Sequence, residues 1–255
     1  MVELQNMSVR YGACEALRGV SLVVRPGEVL GVVGPNGSGK SSLIKAVAGG
    51  LRFQGAVRFH GVAGHRPAIG YMPQDIGAIS GLTVLETVLL GRLGQLRLQV
   101  QPADLQTVDR MLGQLGLQSL AGRYLNELSG GQRQMVFLAQ ALVGEPAVLL
   151  LDEPISALDI SHQIEVLDTV RALTHARQLC TLVVLHDLNA AMRHTDRVAL
   201  MSQGELVACG EPVEVLTEAG IAQVFGVQGE CLLCGDGTLV WVPGRTPRQG
   251  GQIRA

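Results

Sequence analysis

Residues 28–48 read EVLGVVGPNGSGKSSLIKAVA: an almost unbroken apolar run, a glycine-rich turn, then apolar residues at helical spacing. Few local patterns restrict a fold so much. A run with no polar face reads as a strand covered on both sides, which calls for helices above and below a sheet and hence for an α/β core with parallel strands. The turn holds Gly34, Pro35, Asn36, Gly37, Ser38, Gly39, Lys40, Ser41 and Ser42, and Gly34, Gly39, Lys40 and Ser41 match G-x-x-x-x-G-K-S. A loop of this kind wraps phosphate with inward-pointing N–H groups, and the helix that follows adds its positive end. Lys40 is placed to neutralise β- and γ-phosphates, and the Ser41 hydroxyl to ligate Mg²⁺. The chain has two lysines, Lys40 and Lys45, against eighteen arginines, so a lysine in the loop is a choice of a compact ammonium over a bulky guanidinium.

A second stretch completes the phosphate chemistry. Residues 148–153, VLLLDE, form a buried strand that delivers Asp152 and Glu153 at its C-terminal end, where α/β sheets bind ligands. Asp152 fits a Mg²⁺-linked carboxylate. Glu153 is aimed elsewhere by one residue and can take a proton from an attacking water. The runs TLVVLH and RVALMS, separated by helical stretches, extend the sheet, while VELQNMSV and GVSLVV alternate like strands of a separate N-terminal antiparallel unit. From about residue 82 the pattern turns helical: TVLETVLLGRL, then PADLQTVDRMLGQLG with Pro102 in a first turn. The expected architecture is an α/β P-loop core with a mostly parallel sheet, an N-terminal antiparallel β subdomain, and a helical subdomain inserted at about 82–142. Residues 204–243 form a coda of strands and a helical pair, and 244–255 hold too few apolar groups to pack, so a loose tail is expected there.

LSGGQRQ at 128–134 is a second anion cradle, a serine and two glycines at a helix start. With one cradle already in the chain, the open question is which phosphate this one serves.

Composition narrows the class. At 255 residues and 47% hydrophobic the chain can bury a sizeable core, and a net charge of −2 leaves no electrostatic footprint for nucleic acid or for a polybasic membrane contact. The apolar runs are strand-length, short of the roughly 20 residues a spanning helix needs. The N-terminus has no basic start followed by an apolar stretch, so export is not expected. Cys14, Cys180, Cys209, Cys231 and Cys234 are an odd, scattered set that fits reduced thiols. Cys231 and Cys234 form a C-x-x-C, but a strand puts residues three apart on opposite faces and no second pair completes a zinc site. His60 and His65 flank a short turn and read as solvent-facing.

Taken together these motifs resemble the ATP-binding subunits of ABC transporters, over nearly everything up to about residue 243. GPNGSGKS is similar to the family's Walker A, VLLLDE to its Walker B, and LSGGQ to its signature. The resemblance implies five further roles: Tyr11 stacking on adenine, Gln74 in YMPQD beside Mg²⁺ and the γ-phosphate, Asp159 in SALD as the D-loop aspartate, His186 in VLHD as the switch histidine, and residues 1–243 as one ATPase domain. It also implies a head-to-tail dimer in which Ser129, Gly130, Gly131 and Gln132 of one copy close over ATP held by the other. The implied partners are polytopic permease subunits, with a substrate-binding protein upstream, at the cytoplasmic face of the membrane. IGYMPQD, VLHDLNAA and EVLTEAGIAQVFGV look most like importers of ferric siderophores, haem or cobalamin. Read from residues alone, the weaker alternatives are that Tyr11 is a half-buried turn residue, Gln74 a surface loop residue and His186 a helix cap. The competing class is a soluble ABC ATPase of repair, translation or Fe–S assembly, which usually carries a coiled-coil insertion, twin ATPase domains or a basic face, and the sequence has none of these. A P-loop kinase or GTPase leaves LSGGQ unexplained.

Overall fold

The computed structural model describes residues 1–60, 67–74, 81–94, 99–156, 158–235 and 238–244. β1 (Val2–Tyr11) alternates between inside and outside, with Val2, Leu4, Met7 and Val9 buried, and pairs antiparallel with β2 (Cys14–Val24). After a turn at Pro26 and Gly27, β3 (Glu28–Val33) is buried at every residue, as a strand covered on both faces must be. The glycine loop leads into α1 (Lys40–Ala48), which Gly49 ends in a left-handed conformation. β4 (Gln54–Phe59) returns to β1 and completes a three-stranded antiparallel sheet in the order β2-β1-β4.

β5 (Ile69–Met72) is an edge of the main sheet, and the chain then leaves it for α2 (Val84–Leu90), α3 (Pro102–Gln114) and α4 (Gly130–Leu142). Each start is written locally: Thr83 and Glu86 cap α2 reciprocally, Pro102 sits in the first turn of α3, and Ser129 caps α4. The chain re-enters the sheet with β6 (Val148–Asp152), α5 (Ile160–Arg177), β7 (Cys180–Val184), α6 (Leu188–His194) and β8 (Arg197–Ser202), all parallel, before β9 (Glu205–Gly210) turns back antiparallel. The order β5-β6-β7-β3-β8-β9 places β3, β6 and β7 side by side with their C-terminal ends together. Two short helices, α7 (Pro212–Val215) and α8 (Glu218–Phe225), precede a hairpin of β10 (Gly229–Leu233) and β11 (Leu239–Pro243). The protein is therefore an α/β fold with a mostly parallel sheet and an antiparallel N-terminal sheet.

The sheet divides the core by its period of two. Leu30, Leu182 and Leu150 are in register across β3, β7 and β6 and are fully buried toward α1 and the N-terminal sheet. Their neighbours Val29, Leu149 and Val183 face α4, α5 and the inserted helices. Truncating one of these leucines to alanine removes about 2–5 kcal/mol, so the row that carries the phosphate loop is also where the fold is least tolerant.

Smaller expectations fall as follows. His60 is half-exposed and its Nε2 meets Glu3 at 2.7 Å. His65 lies outside the described residues, as do 245–255 of the expected tail, whereas the Gly244 N–H donates to the Gln228 carbonyl at 2.8 Å. All five cysteines are free thiols, Cys231 on the inner side of the hairpin and Cys234 exposed at its end. Among the described residues no group of three or more His, Cys, Asp or Glu is arranged to hold a metal, and no helix is long and apolar enough to cross a membrane.

Candidate functional site

Where β3, β6 and β7 end, a cleft of about 530 Å³ opens between the glycine loop, β2 and the loops after β5, β6 and β7. Asn36, Gly37, Gly39, Lys40, Ser41 and Ser42 line one side, Gln74, Glu153 and His186 the other, with Ala16 of β2 at the rim. Residues from five separate stretches of sequence are thus brought to one cavity.

The loop is shaped by contacts within the chain as well as by its openness to a ligand. A Cβ at Gly34 would lie 2.2 Å from the Met201 carbonyl, and one at Gly39, whose φ is +99°, 2.4 Å from the Ala16 carbonyl. Glycines in a phosphate loop leave room for the ligand to approach the backbone closely. At Gly34 and Gly39 the chain's own backbone already forbids a side chain. Lys40 is 5% exposed and its ammonium donates to the carbonyls of Gly34 and Pro35 at 2.8 and 2.9 Å, so it sits folded against the loop it serves. Burial lowers its pKa, and the carboxylates of Glu153 and Asp152 act in the other direction. Ser38 Oγ is buried without a partner.

Ser41 and Asp152, 111 residues apart in sequence, meet at 3.0 Å, the hydroxyl donating to Oδ1. Asp152 is 1% exposed and its Oδ2 has no partner. Burial raises its pKa, with Ser41 the largest opposing influence. A buried carboxylate oxygen left unpaired beside a hydroxyl is a costly arrangement for an empty pocket and a suitable one for a hard divalent cation, which takes oxygen ligands of this kind.

Glu153, one residue on, has φ +55°, a left-handed conformation rare outside glycine. The kink turns its side chain away from Asp152 and into the cleft. There Oε2 accepts from the Gln74 amide at 2.8 Å, and Oε1 is hydrogen-bonded to His186 Nε2. The side chain of Glu153 is 12% exposed and that of His186 43%, so the carboxylate is sheltered and the imidazole faces the opening. Gln74, expected near the cation, is hydrogen-bonded to Glu153.

The other predicted residues lie elsewhere. Ser129 and Gln132 bond each other reciprocally at the start of α4, Oγ accepting from the Gln132 N–H at 3.2 Å and Gln132 Oε1 from the Ser129 N–H at 3.1 Å. Neither they nor Gly130 and Gly131 line the cleft that holds Lys40. Asp159 caps α5 and accepts from the His162 N–H, from Ser161 Oγ and from His162 Nδ1, contacts that hold its pKa down at about 2, His162's backbone N–H first. Tyr11 is 49% exposed where β1 meets β2 opposite Cys14. Two residues of consequence went unread. His162 packs against the signature helix, and Asn189, in the first turn of α6, bonds the C-terminal hairpin. The spacing Asp159-x-x-His162 at a helix start was the signal for the first; nothing local marks the second.

With this geometry in place, likeness to known proteins can be stated. The family described as ABC transporter matches residues 17–156. A hemin import ATP-binding protein of Bordetella avium is 38% identical over 247 residues, covering 91% of this chain and 94% of that one. A metal-chelate type ABC transporter solved in an inward-facing conformation superposes with a TM-score of 0.86 at 27% identity, over 96% of this chain and 97% of that one. A bacterial ABC transporter cassette solved as a dimer gives 0.72 at 28% identity, over 83% and 99%.

Proposed function

Because this chain belongs to the ABC transporters, as one of their ATP-binding ATPase subunits, we propose that it powers an importer of haem or a closely related iron chelate, working as a head-to-tail dimer beneath a membrane permease. The observation that carries the dimer is the separation of the two cradles. The cleft around Lys40 holds Glu153, His186 and Gln74, while the capped start of α4 stands outside it. A second copy supplies what each cleft lacks. Ile160 and Ile164, one helical turn apart on α5 beside Asp159, are 75% and 43% exposed, an apolar strip that a second copy would cover.

In this reading the loop 34–42 binds the phosphates through its N–H groups, and Lys40 leaves the carbonyls of Gly34 and Pro35 to meet them. Tyr11 stacks on the adenine. Ser41 and Asp152, with Gln74, would hold Mg²⁺, which when bound would supply charge neutralisation to the phosphates. Glu153 takes the proton of the attacking water, a role its sheltered position and its kinked backbone suit. His186 bonds Glu153 and contacts the γ-phosphate. From the partner, Ser129, Gly130, Gly131 and Gln132 present the positive end of α4, and Asp159 borders the same interface.

Transmission to the permease is assigned to a groove of about 340 Å³ between β5 and the inserted helices, lined by Tyr71, Pro73, Gly91, Phe137 and Gln140 and adjoining Gln74. Its position supports the reading: an element docked there touches Pro73, next to Gln74 in sequence, on one side and α4, the signature helix, on the other. The expected setting is the cytoplasmic face of the membrane, with a substrate-binding protein on the far side.

Reconstitution with a polytopic permease that copurifies with it, in liposomes supplied with haem and a haem-binding protein, tests the proposal. ATP-dependent haem accumulation is expected, with Gln74→Ala reducing uptake more than basal ATPase. A chain that hydrolyses ATP at full rate, yet neither associates with the permease nor supports uptake, belongs to the soluble ABC ATPases.

A further inference from the structure

The C-terminal hairpin is hydrogen-bonded to the start of α6, beside the catalytic region, through Asn189. Asn189 lies in the first turn of α6, just after the stretch that carries His186. Its Oδ1 accepts from the Trp241 N–H at 2.8 Å and its Nδ2 donates to the Trp241 carbonyl at 3.2 Å. Both ends of the carboxamide are therefore taken up by one residue of β11, in the manner of a sheet rung. Such a pair is directional: sliding or turning α6 by a fraction of a turn breaks both bonds together.

The hairpin is also held at points outside α6. The Cys231 N–H donates to Glu218 at 3.0 Å, the Cys231 thiol faces the Leu216 carbonyl, and Trp241, opposite Cys231 in register, packs on the main core. On its other side the first turn of α6 is held by Asp187, whose Oδ1 accepts from the N–H groups of Asn189 and Ala190 at 2.7 and 3.1 Å. His186 sits immediately before this doubly held turn. Its backbone belongs to the short link between β7 and α6, and its ring is anchored at one point, Glu153.

We propose that Asn189 is a positioning residue: by clamping α6 to Trp241, it lets the C-terminal hairpin set where His186 is held relative to Glu153. The inference rests on the reading of His186 as a participant in ATP hydrolysis. It gives the hairpin a role in turnover that its distance in sequence from every catalytic motif conceals.

The full-length protein is assayed as Asn189→Ala in two backgrounds, wild type and His186→Ala, under single-turnover conditions so that slow rates are readable. Asn189→Ala is expected to lower the hydrolysis rate on the order of 10-fold, less than the ~10²-fold that a 1 Å misplacement can cause, with nucleotide affinity unchanged. In the His186→Ala background it should lower the rate no further. The NMR signals of the His186 ring should shift in Asn189→Ala while those of the remote His60 stay in place. Should Asn189→Ala fail to fold, Asn189→Asp takes its place, since it keeps the volume and the acceptor but sets a carboxylate against the Trp241 carbonyl. Equal losses in both backgrounds, an unchanged rate in the wild-type background, or a stationary His186 signal each overturn the proposal. A His186→Ala protein that hydrolyses ATP normally overturns instead the role of His186 on which it rests.

Discussion

Gly131 and His162 are pressed together: a Cβ on Gly131 would lie 2.2 Å from His162 Cδ2 and 2.6 Å from Cγ. The ring is not free to swing aside, because its Nδ1 is 2.7 Å from Asp159. Gly130 differs, since a Cβ there would meet Leu158 at an ordinary 3.5 Å. The two glycines of the signature look equivalent in sequence, yet only the second is required by α5 of the same chain.

This contact predicts a reversal of sign. Gly131→Ala should destabilise the nucleotide-free protein by about 1–3 kcal/mol, the usual penalty of overpacking. In a His162→Ala background the same change has room, and alanine in a helix should then be neutral or stabilise by roughly 0.5–1 kcal/mol over glycine. Urea unfolding of the four proteins measures both values without nucleotide. If the change is equally harmful in both backgrounds, the ring is not what excludes a side chain at 131.

Asp152 predicts a trade of stability against function. Burial raises its folded-state pKa above 3.8, so ionisation at neutral pH works against folding. The sign follows from linkage: the protonated form favours the fold below the unfolded-state pKa, and that advantage is lost as pH rises through the folded-state pKa. Asp152→Asn should therefore raise the Tm of the nucleotide-free protein at pH 8, by roughly 2–4 °C if the relief is near 1 kcal/mol. The gain should shrink as pH falls through the folded-state pKa and be lost only well below 3.8, the unfolded-state value. The variant should also lose the further rise that Mg-ATP gives the wild type. A variant less stable than wild type at pH 8 would contradict the cost assigned to the buried charge.

Glu153→Gln keeps the size of the side chain and one hydrogen-bond acceptor, but removes the carboxylate proposed as base. Hydrolysis should fall on the order of 10²–10⁴-fold while ATP still binds. With turnover blocked, the closed dimer should persist through size-exclusion chromatography in Mg-ATP. Normal turnover would remove Glu153 from the role of base, and a monomer with ATP bound would break the link between hydrolysis and opening.

How legible the site was depended on distance in sequence. The glycine loop, the strand ending in Asp152 and the capped start of α4 are written in contiguous residues, because helix starts and two-sided strands leave local patterns. The run of β3, apolar after Glu28, already implied layers on both faces. The meeting of Ser41 with Asp152 was expected only because each motif specifies one end of the same cation chemistry. What stayed hidden depends on where separate elements come to rest. The His162 ring against Gly131, and the Asn189 amide on the Trp241 backbone 52 residues away, follow from the docking of α5 on α4 and of β11 on α6. The left-handed turn at Glu153 was hidden too, since no glycine marks it.

The separation of the two cradles yields the sharpest test. Lys40→Ala removes the ammonium that meets phosphate, while Ser129→Arg puts a bulky cation where the capped start of α4 must approach a nucleotide closely. Each homodimer then carries its own defect in both of its sites. If the signature acts across the interface, a mixed dimer gathers both defects into one site and leaves the other with an intact Lys40 loop and an intact Ser129 cradle. Mixing should therefore restore ATP-dependent association, and some hydrolysis where one site can fire alone. If the signature served its own chain, no mixture would contain an intact site. Association and ATPase are measured against mixing ratio, with the permease present where the isolated subunits pair weakly. A maximum at an intermediate ratio is expected. A flat profile, with heterodimers demonstrated by two affinity tags, would mean that the start of α4 serves the cleft of its own chain.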